Sequence, residues 1–207
     1  MLHRLHRASA LVIGLYALAH LANHLAAVDS VASHIAFMDK VRLVTRVPAF
    51  EALLLACVLF QAVSGLVLVA RRRGQRRALF DRLQALSGLY LAFFLLVHVS
   101  SVLAGRFLQG VDTNFHFAAA GLHAAPFQLF FFPYYGLAVL AFGVHLAAAF
   151  HYLARGRIGS LARTRIAGAG ITVALLLSGL ILATFGGMLH PVAIPEAYRA
   201  NLEALLR

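Results

Sequence analysis

Five stretches of this chain carry no Asp, Glu, Lys or Arg: residues 8–28, 52–70, 83–105, 113–154 and 166–195. A helix needs about 20 apolar residues to cross the hydrocarbon core of a bilayer. Backbone amides have no water to bond there, so a long apolar run is satisfied as a helix. The pattern predicts an all-α polytopic membrane protein with five transmembrane helices over residues 8–28, 48–70, 83–105, 133–154 and 166–188. Pro48 suits the first turn of the second helix, and Glu51 suits its positive end. Residues 41–47 are expected to form a short interfacial element. The uncharged run 113–154 is long enough for two crossings. A crossing there would move the arginines of 155–165 to the opposite face, so residues 106–132 are expected to form an outer interfacial or re-entrant cap. Its aromatics then lie in the interfacial belt. Residues 195–206 are expected to form an outer amphipathic segment with Tyr198, Leu202 and Leu205 on one face. The chain 1–207 reads as a single membrane domain without a convincing internal repeat. The first stretch is too long and too polar at its far end for a cleaved leader.

Charge adds direction. The net charge is +11, with 18 basic against 7 acidic residues. Arg71, Arg72, Arg73, Arg76, Arg77 and Arg82 form one cluster, and Arg155, Arg157, Arg163 and Arg165 another. With Arg4 and Arg7 they mark three connections as cytoplasmic. The N-terminus is then inside and the C-terminus outside, as in an integral protein of a bacterial inner (cytoplasmic) membrane. The basic residues are spent on topology and lipid headgroups, so no nucleic acid is expected as a partner. The single cysteine, Cys57, lies in an apolar run, which leaves no disulfide or thiolate cluster. No nucleophile–base constellation or phosphate loop is visible, so no hydrolytic or phosphoryl chemistry is expected.

The chemistry lies in the polar residues of the apolar runs. At 1.5 Å per residue, His20 stands about 20 Å from its inner flank and His98 about 24 Å. The two are level and face one another from different helices. Gln61 and His145 are each about 15 Å from an inner-flank arginine, so they form a second, deeper level. Two level imidazoles can occupy both axial positions of haem iron, and bundle cores hold cofactors between facing helices. Ser64, Gly65, Ser87 and Gly88 are the small residues beside these levels. Gly65 leaves room for close approach to the backbone. Five further histidines, His24, His34, His116, His123 and His190, fall toward the outer side. Three of them, if convergent, would suit copper or zinc. His24 shares a helix face with His20 and is an alternative ligand.

The quoted residues resemble a known family. Ala19-His20-Leu21-Ala22-Asn23, Phe37-Met38-Asp39, Glu51 with Phe60-Gln61-Ala62-Val63-Ser64-Gly65, Leu83-Gln84-Ala85-Leu86-Ser87-Gly88 with His98, and His145 are similar to motifs of the five-helix, di-haem cytochrome b anchor of succinate dehydrogenases and fumarate reductases. The resemblance covers the first four spans. It implies that His20 and His98 ligate an outer haem b, and that His145 is one ligand of an inner haem whose other ligand position is Gln61. It also implies electron exchange with quinone and docking to flavoprotein and iron–sulphur subunits on the cytoplasmic side, with oligomers open. Glutamine is not an axial ligand of such haems. The expectation is therefore one haem, with Gln61 and His145 hydrogen-bonded to each other across the bundle. Two alternatives are an orphan five-helix protein that binds haem or an outer-face metal without dehydrogenase partners, and a haem-free structural or assembly protein.

Overall fold

A computed structural model describes residues 1–72, 74 and 78–204. Arg73, Arg76 and Arg77 of the arginine cluster, and Leu205 and Leu206 of the C-terminal segment, lie outside the described residues. Among those described there are eight helices and no strand. They are α1 (Leu2–Ala26), α2 (Val31–Thr45), α3 (Pro48–Arg71), α4 (Leu79–Phe107), α5 (Phe115–Ala120), α6 (Gln128–Leu153), α7 (Ser160–Phe185) and α8 (Glu196–Glu203). Five of them, α1, α3, α4, α6 and α7, are long and apolar enough to cross a membrane. Leu11, Leu15 and Leu18 on α1, Leu59 on α3, and Leu175 and Leu176 on α7 are exposed. In an aqueous fold such a surface would be a liability, and it is what lipid contact requires.

α3 begins at Pro48 as expected, but the other four long helices begin earlier than the charge pattern predicts. α1 starts at Leu2 rather than at residue 8, so Arg4 and Arg7 lie inside it. α6 starts at Gln128, ahead of Pro133, and α7 at Ser160, ahead of Arg163 and Arg165. A charge ends an apolar run but not a helix, because a long arginine near a membrane boundary extends along the helix to reach water. The expected short element over 41–47 is instead the end of the fifteen-residue helix α2. The Ser30 side chain caps it, accepting from the Ser33 N–H at 3.0 Å, which satisfies one of the free amides of its first turn. The Asn114 side chain caps α5 in the same way, accepting from His116 N–H at 2.9 Å.

The long helices pack in the order α1–α3–α4–α6–α7. α1 and α4 are not a closely packed pair, and a cavity of about 1020 Å³ lies within the bundle, lined by both. α2, α5 and α8 gather at one end, the cap end. There Phe115, Ala119, Ala120, Leu122, Phe185 and Ile194 form a buried cluster. Arg42 of α2 bonds Asp112 at 2.8 Å, and the Tyr198 hydroxyl of α8 donates to the Asp112 carbonyl at 3.0 Å. The opposite end bears Arg71, Arg72, Arg155 and Arg157 and is the arginine end. There the Tyr152 hydroxyl of α6 donates to the Asp81 carboxylate of α4.

α1 and α4 share a sparse set of matching residues. Arg4, Leu5, Ser9, Leu11, Tyr16 and His20 recur at one constant offset as Arg82, Leu83, Ser87, Leu89, Phe94 and His98. Their contacts recur with them. His20 stacks on Tyr16 with 12° between the rings, and His98 on Phe94 with 15°. Ser9 bonds Gln61 of α3 at 2.7 Å, and Ser87 bonds His145 of α6 at 3.1 Å. On each of the two helices the serine thus bonds a polar side chain of the helix packed beside it.

Candidate cofactor site

The cavity has a histidine level toward each end. Toward the cap end, His20 and His98 face one another with ring centres 6.1 Å apart and planes at 60°. Two imidazoles sharing one metal, each nitrogen about 2.0–2.1 Å from it, hold their ring centres roughly 6–6.5 Å apart. The stacked Tyr16 and Phe94 restrict both rings from behind. The levelness predicted from residue counts is present in the geometry.

His20 also begins a row of polar side chains that runs into the cap. Its Nε2 lies 3.1 Å from Nε2 of His24, and Nδ1 of His24 lies 3.2 Å from Nε2 of His34. The Asn23 amide nitrogen lies 3.2 Å from that same Nε2 of His34. With this nitrogen donating, His34 must accept, so His24 donates through Nδ1 and accepts through Nε2, and His20 donates to it. Turning the amide over reverses every bond in the row. His34 is 2% exposed and is held between Phe115 and Phe185. Burial, with smaller contributions from neighbouring His20, Arg42 and His116, pushes its imidazole down to about 4. Its Nδ1 and the Asn23 Oδ1 are buried without a hydrogen-bond partner.

At the other level the expected bond between Gln61 and His145 is not made. Gln61 bonds His6 and Ser9 instead: its Nε2 lies 3.1 Å from His6 Nε2, and its Oε1 accepts from the Ser9 hydroxyl at 2.7 Å. His145 bonds Ser87 of α4. The reason is the early start of α1, which carries His6 up beside α3. Ser64 accepts or donates at His6 Nδ1, 2.7 Å away. A Cβ at Gly65 would lie 3.6 Å from the His6 ring, and one at Gly88 only 3.2 Å from the His145 ring. All four small residues singled out in the sequence therefore touch or flank a histidine of this level. His6 itself was missed, because the span boundary was set at the charge of Arg7. The available signal was Ser9, which repeats Ser87.

The five histidines considered for copper or zinc do not converge. His24 and His34 are joined in the row from His20. His123 Nε2 donates to the Phe185 carbonyl at 2.8 Å, and His190 Nε2 to the Val28 carbonyl at 2.7 Å, so these two fasten loops. His116 packs against Phe115 and Tyr198. Among the described residues no group of three or more His, Cys, Asp or Glu is arranged around a common metal position.

Cations line the cap end of the cavity. Arg42, Arg46 and Arg106 all border it. Arg106 pairs with Glu51, while Arg42 and Arg46 meet Asp112 at 2.8 and 3.5 Å. Burial raises the Asp112 carboxyl, but the Arg42 hydrogen bond and the two arginine charges outweigh it and hold the group below its usual range. Comparison with family models, with curated proteins and with solved structures finds no match.

Proposed function

We propose that this protein is a membrane-bound b-type cytochrome that exchanges electrons with quinone through a haem held by His20 and His98, in the manner of the anchor subunits of succinate dehydrogenases and fumarate reductases. The observation that carries this reading is the separation of the two rings, 6.1 Å across a cavity between helices that do not pack together. The donor set agrees with it. Both ligands are neutral nitrogen donors, and no thiolate is near. Arg42 and Arg46 at the cap end supply positive charge for propionate groups. When bound, the haem supplies one-electron transfer at its iron.

The chain's own part is to position and insulate. Tyr16 and Phe94 fix the ring planes of the two ligands. His24 holds His20 through Nε2, so binding of metal at that nitrogen requires His20 to exchange one partner for another. The exposed leucines of α1 and α4 keep water from the level by placing it within the apolar part of the bundle. With His20 on the metal, His24 and His34 would stay hydrogen-bonded to each other beside the site. Quinone, as an apolar ring with two carbonyl acceptors, is matched by the wide apolar cavity wall and the donors at its cap end.

The test is the absorption spectrum of the protein purified in detergent. Oxidised and dithionite-reduced samples are expected to differ by a b-type band that a quinol also produces. His20→Ala and His98→Ala are each expected to remove the band assigned to the cap-end level. Retention of the full spectrum in both variants would sink the assignment. A folded, colourless wild-type protein would point to the haem-free reading instead. Co-purification of flavin and iron–sulphur subunits would identify a dehydrogenase partner.

A further inference from the structure

We propose that the arginine end of the cavity binds an anionic phospholipid of the bilayer. One acyl chain enters sideways between α1 and α6, and the phosphate rests on Arg7 and Arg72. The site does not depend on the haem reading. It uses the half of the cavity that the His20–His98 level leaves free, since His6, near the arginine end, lies fourteen residues before His20, about 21 Å along α1.

Three observations carry it. The first is a seam that the bundle leaves open. Around the cavity α1 packs on α3, α3 on α4 and α4 on α6, but α6 does not pack closely on α1. Toward the cap, α7 fills the gap. Phe185 lies against His24 of α1 with ring centres 4.9 Å apart, and Ile181 and Leu182 line the cavity below it. Nearer the arginine end than Ile181, no residue of α7 lines the cavity. The wall is uncovered there. Leu146 and Leu153 of α6 line the cavity and are 46% and 60% exposed, whereas Ala138, nearer the cap, is 6% exposed.

The second is the lining of this half. Ala10, Gly14 and Ala17 of α1 follow one another along the cavity at helical spacing. A Cβ at Gly14 would meet nothing within 4 Å. Small residues normally let two helices in lipid close on one another. Here they border a gap, with Phe142 and Leu146 of α6 also on its wall. The polar groups of this half are engaged among themselves. His6 bonds Gln61 and Ser64, Ser9 bonds Gln61, and His145 bonds Ser87. The surface left for a guest is therefore mostly hydrocarbon. A gap lined in this way stays dry and takes an apolar guest, and the bilayer at its side supplies flexible chains.

The third is charge. Arg7 and Arg72 line the cavity at this end. Among the described residues the ion pairs are those of Arg42, Arg46 and Arg106 at the cap end, and neither Arg7 nor Arg72 has one. The carboxylate at this end, Asp81, accepts from the Tyr152 hydroxyl. Arginines at a membrane boundary reach the headgroup level, where anionic lipids are drawn to them. Two unpaired guanidinium groups beside an apolar slot match a phosphate joined to a hydrocarbon chain.

The experiment is photolabelling of the full chain in phosphatidylcholine vesicles. The probe is phosphatidylglycerol with a diazirine at mid-chain, and adducts are mapped by peptide mass spectrometry. Adducts on the cavity residues Phe142 and Leu146 are expected to saturate and to disappear with excess unlabelled phosphatidylglycerol. Adducts on the outward-facing Leu11 and Leu15 are expected to rise without saturating. Gly14→Phe is expected to abolish the saturable adducts and keep the others, which also shows that the variant is folded into the bilayer. Arg7→Gln combined with Arg72→Gln is expected to raise the phosphatidylglycerol needed for half-saturation several-fold. Adducts on the outward-facing residues alone mean a bulk lipid annulus only and overturn the site. Equal labelling of Phe142 by a diazirine phosphatidylcholine overturns the role of the two arginines. Saturable adducts displaced by a quinone but not by phosphatidylglycerol overturn the lipid and make quinone the occupant. The absorption spectrum of the same sample reports haem separately, so failure of one reading leaves the other in view.

Discussion

At the scale of single residues, His34 is the one whose surroundings make the sharpest claim. It is buried between Phe115 and Phe185, its Nδ1 has no partner, and its pKa is about 4 against an ordinary 6.5. The native state thus holds it neutral where the unfolded chain would protonate it. Between about pH 6.5 and 4 the unfolded state binds more protons, so stability falls as pH falls through that window. The upper bound is on the order of 3 kcal/mol. Thermal unfolding in detergent is expected to show a declining midpoint from pH 7 to 4. In His34→Gln the decline is expected to be shallower, because the substitution keeps a polar partner for Asn23 but cannot titrate. An unchanged slope would show that His34 does not set this behaviour. Asp112 acts lower down. Its carboxylate is held below its usual range, so the stability it contributes is lost only as pH falls through that depressed pKa. Legibility at this scale was uneven. Counting residues from the flanking arginines placed His20 and His98 level with one another. Nothing in a count could show that His34, in the connection after the first span, lies against His24.

At the scale of elements, the five long helices were legible because absence of charge is a strong signal over about 20 residues. Their ends were not, since arginine side chains let a helix continue past an apolar run. That error of a turn or two concealed His6. The same scale corrects the packing of α7. Its own glycines do not supply the close approach: a Cβ at Gly168 meets nothing within 4 Å and one at Gly170 meets only Ala147 at 3.8 Å. The close approach comes from the partner helix. A Cβ at Gly143 of α6 would collide with the Cβ of Ala174, and one at Gly136 would lie 2.8 Å from Leu182. Next to Gly136, the Ser178 hydroxyl donates to the Gly136 carbonyl at 2.8 Å. Between helices in lipid, such close backbone contact is the main source of association. Gly143→Val is therefore expected to separate α6 from α7 and to lower the unfolding temperature in detergent by several degrees. Gly168→Ala is expected to leave it unchanged or raise it, since alanine is the better helix former by about 1 kcal/mol. The reverse ranking of the two variants would refute this account of the α6–α7 contact.

At the scale of the whole molecule, the arrangement divides into two unlike ends joined by one cavity. The cap end is stitched by Asp112, which meets Arg42, Arg46 and Tyr198 from three directions. The other end carries, among the described residues, Arg71, Arg72, Arg155 and Arg157. The alternation of basic and less basic connections made this division legible, because all three basic segments fall on the same face. The division also predicts a direction in the membrane. Positively charged connections are retained on the cytoplasmic face, so the cap and α8 are expected outside and the arginine end inside. Under the proposed function, an electron donor on the cytoplasmic side would meet the arginine end first. Cysteine labelling with a membrane-impermeant maleimide in intact cells checks the direction. In a Cys57→Ala background, Asp39→Cys on α2 is expected to label, while Gly159→Cys between α6 and α7 is expected to label only after the membrane is opened. The opposite pattern would invert the bundle. It would place the aromatic cap and the paired acidic residues toward the cytoplasm, and it would move any soluble electron-transfer partner to the cap end.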